Sequence, residues 1–297
     1  MTLLEEATQT PPARRRAPRR PLAAVVAMIP ITLLVVLVVY PLLLVVVHAF
    51  EGEDGGFSVD MWGVLFANPV FTDTIWTTLR IAAISTAIAL VLGTFVAIVI
   101  SYVPFRGSAL LTSALDVYLS FPSFLITLAL VFIWGNVGIV NGALDAVSGG
   151  ALGPVRLLET QWGVILAEVT YFTPFVVRPV LAALQVMDRA HVEVAESLGA
   201  GGWRIVGTII LPEVLPALLA GGSLVLMRTM NEFGIVMFTG AKGVTTLPTL
   251  VYGQAIARGN YDVAAIAALV NIVLSLALYV VYRGVAARAI GGARHAR

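Results

Sequence analysis

Six long apolar stretches constrain what this chain can fold into more than any other feature. A membrane-crossing helix needs about 20 mostly apolar residues, because lipid offers no partner to a free backbone group. The chain is 59% hydrophobic and 12% charged, whereas soluble domains carry about 25% charged residues. We therefore predict an all-α integral membrane protein with six transmembrane helices. The predicted spans lie within residues 22–50 and at about 81–103, 109–134, 162–187, 214–239 and 263–282.

The uneven distribution of charge predicts the orientation of these helices. Residues 1–20 are polar, rich in proline and contain five arginines, so we expect a disordered basic tail in the cytoplasm. The apolar run that follows is too long for a cleavable signal. Acidic residues gather in the first outer loop, whereas arginines gather in the inner loops and at the carboxyl end. This bias places both termini inside, around a six-helix domain at residues 21–288 and a second cytoplasmic tail at residues 289–297.

Several kinds of site have no support in the sequence. Cysteine is absent, and His48, His191 and His295 are too far apart in sequence to form a recognised metal motif. The sequence contains no G-x-x-x-x-G-K-[ST] phosphate-binding loop, and no basic run alternates with aromatics as in nucleic-acid binding. We therefore predict no catalytic residue, no metal site, no cofactor in this chain and no nucleic-acid partner. Membrane lipid is expected to surround the chain.

A polar segment, EVAESLGAGGWRIVGTIILP, interrupts the apolar pattern within the predicted inner loop at residues 188–212. Asp188 is suited to cap a short helix that runs to Leu198, and Gly199 to end it. Val194, Ala195 and Leu198 share one face of that helix, opposite Glu193 and Glu196. A second helix carries Trp203, Val206 and Ile210 at helical spacing, and Pro212 ends it or opens the next span. The pattern alone leaves three alternatives: a docking surface for a partner, a helix in the lipid interface, or a solvated connector.

This segment resembles the cytoplasmic loop motif E-A-A-x3-G-x9-I-x-L-P of binding-protein-dependent ABC importer permeases. The matching residues are Glu193, Ala195, Gly199, Ile209, Leu211 and Pro212. Val194 replaces the first alanine, which changes the docking face by one larger apolar side chain. The resemblance covers most of the chain, from about residue 22 to residue 283.

The resemblance implies a type I ABC importer permease fold in the bacterial cytoplasmic (inner) membrane. In that family the loop forms coupling helices that sit in a cleft of a separate ATP-binding subunit. The implied partners are two ATPase subunits that bind ATP and Mg, a second permease subunit (the same or a similar chain), and an external substrate-binding lipoprotein or periplasmic protein.

Charged residues inside the predicted spans are candidates for the pathway or its gate. A charge at the bilayer centre costs at least about 2.5–3.5 kcal/mol, so it usually faces a pathway or a partner. Arg228 and Glu232, at i, i+4 spacing, are expected on one helix face. They either form an internal salt bridge, or Arg228 lines the pathway and attracts an anion. Arg228, Glu232, Phe233 and Gly234 also match the R-x-x-x-E-F-G stretch of sulfate- and molybdate-type permeases, which this segment resembles.

Four further polar residues lie in the predicted spans. Asp116 precedes Phe121-Pro122, where a proline kink suits either a gate or packing. Glu168 is suited to pair with a basic residue on a neighbouring helix, which the sequence does not identify. Asn231, another pathway candidate, and Asn271 are expected to form hydrogen bonds between helices.

The segment at residues 239–283, TGAKGVTTLPTLVYGQAIARGNYDVAAIAALVNIVLSLALYVVYR, resembles permeases assigned to 2-aminoethylphosphonate uptake. This resemblance implies that the chain forms the membrane pathway for a small oxyanion such as an organophosphonate, which the external binding protein delivers. Relatives in the same group carry sulfate or molybdate, ferric iron or polyamines, and these substrates stay open. A secondary transporter is the alternative class; it would show internal repeats and discontinuous helices but has no reason for the loop motif. A membrane enzyme would need a cluster of His, Asp or Glu, which is not evident.

Overall fold

The computed structural model describes residues 21–52, 54–103 and 105–295 and contains two units, residues 1–45 and 46–297. The predicted tail at residues 1–20 lies outside the described residues. In the first unit, α1 (Pro21–Leu34) continues through a π-helical turn (Val35–Val39) into α2 (Tyr40–Ala49), which extends into the second unit. Together they supply an apolar helical stretch, Met28–Ala49, long enough to cross a membrane.

The second unit is helical, and its described residues contain only one isolated bridge, between Glu51 and Phe57. Its first helices are α3 (Asp60–Ala67), α4 (Pro69–Tyr102), α5 (Ser108–Leu119), α6 (Ser123–Trp134), α7 (Ile139–Ser148), α8 (Gln161–Val186) and α9 (Ala190–Ser197). The others are α10 (Gly202–Ile205), α11 (Leu211–Met230), α12 (Gly234–Thr239), α13 (Leu247–Tyr252) and α14 (Tyr261–His295), with π-helical turns at Val206–Ile210 and Gly253–Ala257.

Six helical stretches of the described chain are long and apolar enough to span a membrane, as predicted. These stretches are Met28–Ala49, Pro69–Tyr102, Ser123–Ser148, Gln161–Val186, Gly202–Met230 and Tyr261–Gly291. The fold is therefore all-α with six transmembrane helices.

Several predicted boundaries differ from the structure. The second span begins at Pro69 rather than residue 81, because Asn68 caps α4 through a 2.9 Å bond from the Val70 amide and Pro69 occupies the first turn. The predicted third span, residues 109–134, is broken at residues 120–122, since proline cannot continue the helix, and the third membrane-length stretch is Ser123–Ser148. The fifth span stops at Met230, and α14 continues to His295, through most of the tail predicted at residues 289–297. Residues 296–297 lie outside the described chain.

Helices α4, α8 and α11 pack together to form the core of the second unit. Their interfaces use small residues, as membrane helices do when backbones approach closely. At Gly93 of α4, an added Cβ would lie 2.6 Å from the Cβ of Val176 on α8. This spacing leaves no room for a side chain, so the position requires glycine.

Replacing Gly93 with leucine should destabilise the α4–α8 interface by at least about 1–3 kcal/mol, because the added side chain overpacks it. Thermal unfolding of the detergent-solubilised protein measures the effect. Gly284→Leu is the matched control, because Gly284 lies on α14 with nothing within 4 Å of an added Cβ. Equal unfolding temperatures for the two variants would contradict this packing.

Candidate functional site

We name the loop at residues 188–212 the coupling loop. Its first half folds as the sequence predicts. The Asp188 carboxylate accepts a 2.9 Å hydrogen bond from the Ala190 amide and caps α9. Gly199 adopts φ +80°, and the Ala200 amide returns to the Ala195 carbonyl at 2.9 Å. These bonds end the helix at a left-handed residue and confirm the predicted stop.

The apolar face predicted for the first helix of the coupling loop is exposed, as a docking surface requires, whereas the apolar residues of the second helix are divided between core and solvent. Val194 and Leu198 are 57% and 82% exposed, and Val192 is the residue that anchors α9 in the core. The apolar residues predicted at helical spacing in the second helix do not share one environment: Ile210 is buried, whereas Trp203 is 87% exposed. Helical spacing placed these residues on faces, but only tertiary packing decides which face is covered.

The motif residues line or adjoin a groove of about 460 Å³ between α9 and the start of α11. Ala195 and Ile209 line it together with Val194 and Leu198, and Glu193 is exposed on α9. Leu211 and Pro212 are half-buried in the first turn of α11. Pro212 does not end the second helix, since the helical stretch is continuous from Gly202 to Met230. The loop is therefore continuous with α11, which packs against α4 and α8.

Arg228 and Glu232 do not form the salt bridge that one reading of the sequence proposed. Helix α11 ends at Met230, so Glu232 no longer follows Arg228 on a helical face. The exposed guanidinium of Arg228 instead lies 4.5 Å from the ring centroid of Phe175 on α8. Within the described chain Arg228 has no ion-pair partner. An arginine held by an aromatic face keeps its hydrogen-bond donors free for an anion.

Glu232 joins the start of two helices. One carboxylate oxygen accepts hydrogen bonds from the Ser123 hydroxyl of α6 at 3.0 Å and from the Ile235 amide of α12 at 2.9 Å. A carboxylate at helix amino termini is favoured by the helix dipoles. Phe233, beside it, packs on the ring of Tyr252, with centroids 4.9 Å apart. The geometry gives Glu232 a structural position between α6 and α12.

The other intramembrane acids have different partners. Asp116 forms a salt bridge with Arg178 of α8, which also donates to the Thr112 carbonyl at 2.9 Å. Glu168 is 1% exposed, and neither of its carboxylate oxygens has a hydrogen-bond partner in the described chain. Its neighbour is the Ser85 hydroxyl of α4 rather than the basic residue that the sequence led us to expect.

Asn231 and Asn271 form the predicted bond between helices, with the Asn271 amide donating to the Asn231 oxygen at 3.0 Å. Asn231 also donates to the Met227 carbonyl at 2.9 Å. These bonds join the end of α11 to α14. Asn231 thus has a structural position, while remaining next to the exposed Arg228.

The break in the predicted third span lies beside Arg228 and Glu232. The Tyr171 hydroxyl of α8 donates to the Phe121 carbonyl at 3.3 Å, and the Tyr171 ring lies 5.8 Å from that of Phe175, on which Arg228 is placed. Irregular backbone is tolerated within a membrane only where protein covers it or where it lines a water-filled cavity. The break and Arg228 are exposed in the single chain, and Tyr171 and Phe175 of α8 lie between them.

Sequence analysis missed a polar contact at the opposite end of the bundle from the coupling loop. Glu159 accepts a 2.6 Å bond from the Asn136 amide and pairs with Lys242 at 2.9 Å. The Lys242 backbone amide also donates to the Glu159 carbonyl at 3.0 Å. We name Asn136, Glu159 and Lys242 the outer clasp, because they join two loops far apart in sequence; neither loop carries a motif that predicts this contact.

Acid should loosen the outer clasp. The hydrogen bond from Asn136, and then the contact with Lys242, hold the pKa of the Glu159 carboxyl below its usual range. Its contribution is therefore present above the pKa of the unfolded chain and is lost as pH falls through the folded pKa. We expect hydrogen exchange at residues 240–246 to be slower in the wild type than in Glu159→Gln at neutral pH, and the two to converge in acid. A difference that persists in acid would contradict this.

The family of the chain follows from its similarity to known proteins. Residues 89–291 match the model of the binding-protein-dependent transport system inner membrane component. The chain is 45% identical over 261 residues to the putative 2-aminoethylphosphonate transport system permease protein PhnU of Salmonella paratyphi A, across 88% of this chain and 90% of that protein. It is 26% identical to the spermidine/putrescine permease PotB of Haemophilus influenzae, across 84% and 89% of the two chains.

Solved structures show the same fold. A bacterial ABC transporter that imports alginate aligns with a TM-score of 0.74 at 19% identity, over 91% of this chain and 96% of the other. The MetNI methionine ABC transporter aligns with a TM-score of 0.54 at 18% identity, over 80% and 99%. The break in the predicted third span also suits a secondary transporter, but the family match decides between the classes. The chain belongs to the binding-protein-dependent inner-membrane permease family and is a multi-pass transmembrane subunit of an ABC importer, in which ATP hydrolysis is the task of separate subunits.

Proposed function

We propose that this permease forms the membrane pathway for an organophosphonate, with 2-aminoethylphosphonate as the first solute to test. The observation that carries this is Arg228: its guanidinium lies on Phe175, exposed and without an acidic partner among the described residues. Guanidinium groups bind phosphonate-type oxygens in a two-pronged geometry. The 45% identity to the PhnU protein supports the same solute class.

In this proposal the coupling loop transmits movement of the ATPase subunit to the membrane helices. Glu193, Ala195, Gly199, Ile209, Leu211 and Pro212 hold or shape the surface that enters a cleft of the ATPase subunit. Exposed Val194, Leu198 and Trp203 give that surface the apolar area that a stable interface needs. The importer is completed by a second permease subunit and by two ATPase subunits, which bind ATP and Mg. The amino and carboxyl termini then lie in the cytoplasm, and the binding protein docks at the outer-clasp end.

Uptake by the reconstituted importer tests the solute. Proteoliposomes that contain the permease, its partner permease and its ATPase are supplied with the purified binding protein and labelled 2-aminoethylphosphonate. We expect uptake of this solute to exceed that of sulfate, molybdate, ferric iron and putrescine. Faster uptake of any of these four would assign the permease to another branch of the family and overturn the proposal.

A further inference from the structure

A cavity of about 670 Å³ lies at the coupling-loop end of α4, apart from the groove of the coupling loop. The apolar helical stretch of α4 ends at Tyr102, so this cavity lies at one end of a helix long enough to cross a membrane. Its polar lining comes from Ser101, Tyr102, Arg106, Ser108 and Arg189. Apolar side chains, among them Ile100 and Phe105, complete it.

Two arginines face this cavity without a compensating charge. Neither Arg106 nor Arg189 forms a salt bridge within the described chain, and the cavity lining includes no acidic residue. Arg189 lines the cavity together with the hydroxyl-bearing residues Ser101, Tyr102 and Ser108. Both arginines are exposed, so an anion that enters the cavity can meet two guanidinium groups and no acidic lining residue.

The cavity combines the chemical features that an anionic lipid headgroup requires. Arginine and hydroxyl donors bind phosphate oxygens, and basic pockets between membrane helices bind acidic headgroups. The apolar side of the lining matches the glycerol and upper acyl region of a lipid rather than a freely soluble ion. We propose that this cavity binds the phosphate of an anionic phospholipid.

The lipid has a mechanical consequence through Arg189. This residue directly precedes α9, the first helix of the coupling loop, whereas Arg106 lies in the loop between α4 and α5. A headgroup held by both arginines links α9 to the end of a core helix. It therefore helps to fix the position of the surface that the ATPase subunit is proposed to engage.

Lipid retention by the full-length protein tests this inference without any need for transport. The protein is reconstituted in nanodiscs that contain phosphatidylcholine and about 20% phosphatidylglycerol. The sample is then delipidated in mild detergent. Bound lipid is measured by native mass spectrometry. We expect Arg106→Gln and Arg189→Gln each to lower phosphatidylglycerol retention about fivefold, and the double variant about 30-fold. Arg288→Gln, an exposed arginine on α14 outside the cavity, serves as the matched control and should retain lipid as the wild type does.

Three results would overturn the inference. The first is equal phosphatidylglycerol retention by the double variant and the Arg288→Gln control. The second is arginine-dependent binding of inorganic phosphate with no preference for phosphatidylglycerol over phosphatidylcholine, which would identify a free-phosphate site. The third is loss of ATPase-subunit binding in lipid-free detergent with lipid retention unchanged, which would identify a protein contact. An Arg106→Lys/Arg189→Lys variant should keep part of the retention, which separates lost charge from misfolding.

Discussion

Replacing Trp203 with alanine should weaken binding of the ATPase subunit about 30-fold and lower uptake in parallel. Trp203 is 87% exposed on the coupling loop, and tryptophan at the centre of an interface commonly contributes 2 kcal/mol or more to binding. Charge reversal at the exposed Glu193 should also weaken binding, by at least about tenfold, because it reverses the charge at the rim of the proposed docking surface. Surface-immobilised ATPase subunit and detergent-solubilised permease variants measure both affinities.

Trp162→Ala is the matched control for this experiment. Trp162 is 62% exposed, but it lies at the start of α8, the end opposite the coupling loop. We expect this variant to bind the ATPase subunit as the wild type does. If Trp203→Ala bound equally well, or if Trp162→Ala lost as much affinity, the coupling loop would not be the docking surface.

Replacing Arg228 with alanine should lower organophosphonate uptake about 10- to 100-fold and leave ATPase-subunit binding unchanged. A hydrogen bond to a charged group contributes about 1.5–3 kcal/mol, which is a factor of this size. Arg228→Lys should retain part of the uptake, because it keeps the charge but loses the two-pronged geometry. Uptake of the labelled solute into proteoliposomes, at equal amounts of assembled complex, gives the measurement.

Arg283→Ala controls for the loss of an arginine that stacks on an aromatic ring. Arg283 lies 5.8 Å from the ring centroid of Tyr279 on the same helix and is exposed, as Arg228 is. We expect uptake by this variant to match the wild type. Unchanged uptake in Arg228→Ala would remove Arg228 from the pathway and leave the identity to PhnU as the only support for the solute class.

The sequence predicts the membrane fold well because lipid enforces simple rules. Six apolar stretches of sufficient length had no alternative to helices, and proline, glycine and an N-cap aspartate marked the turns at Pro122, Gly199 and Asp188. The start of α4 was missed because its first turns, with Asp73 and Arg80, are not apolar enough to register as a span. Their helical form depends on the Asn68 cap and on packing against the neighbouring helices.

The candidate site was less accessible to sequence reasoning, because spacing along the chain does not specify partners in space. The i, i+4 relation of Arg228 and Glu232 failed where α11 ended between them. Asp116 and Arg178 lie on different helices and 62 positions apart in the sequence, so nothing local predicted their salt bridge. The same holds for Val192 in the coupling loop, whose burial depends on the core beneath α9.

The energy dependence of uptake distinguishes an ATP-driven importer from a gradient-driven transporter. The complete importer in proteoliposomes is supplied with the loaded binding protein, and uptake is followed with ATP inside, without ATP, and with an ATPase subunit whose catalytic residue is removed. We predict uptake only with ATP and an active ATPase subunit, and reduced uptake by the Glu193→Arg permease. Uptake that persists without ATP hydrolysis and follows an ion gradient instead would contradict the account.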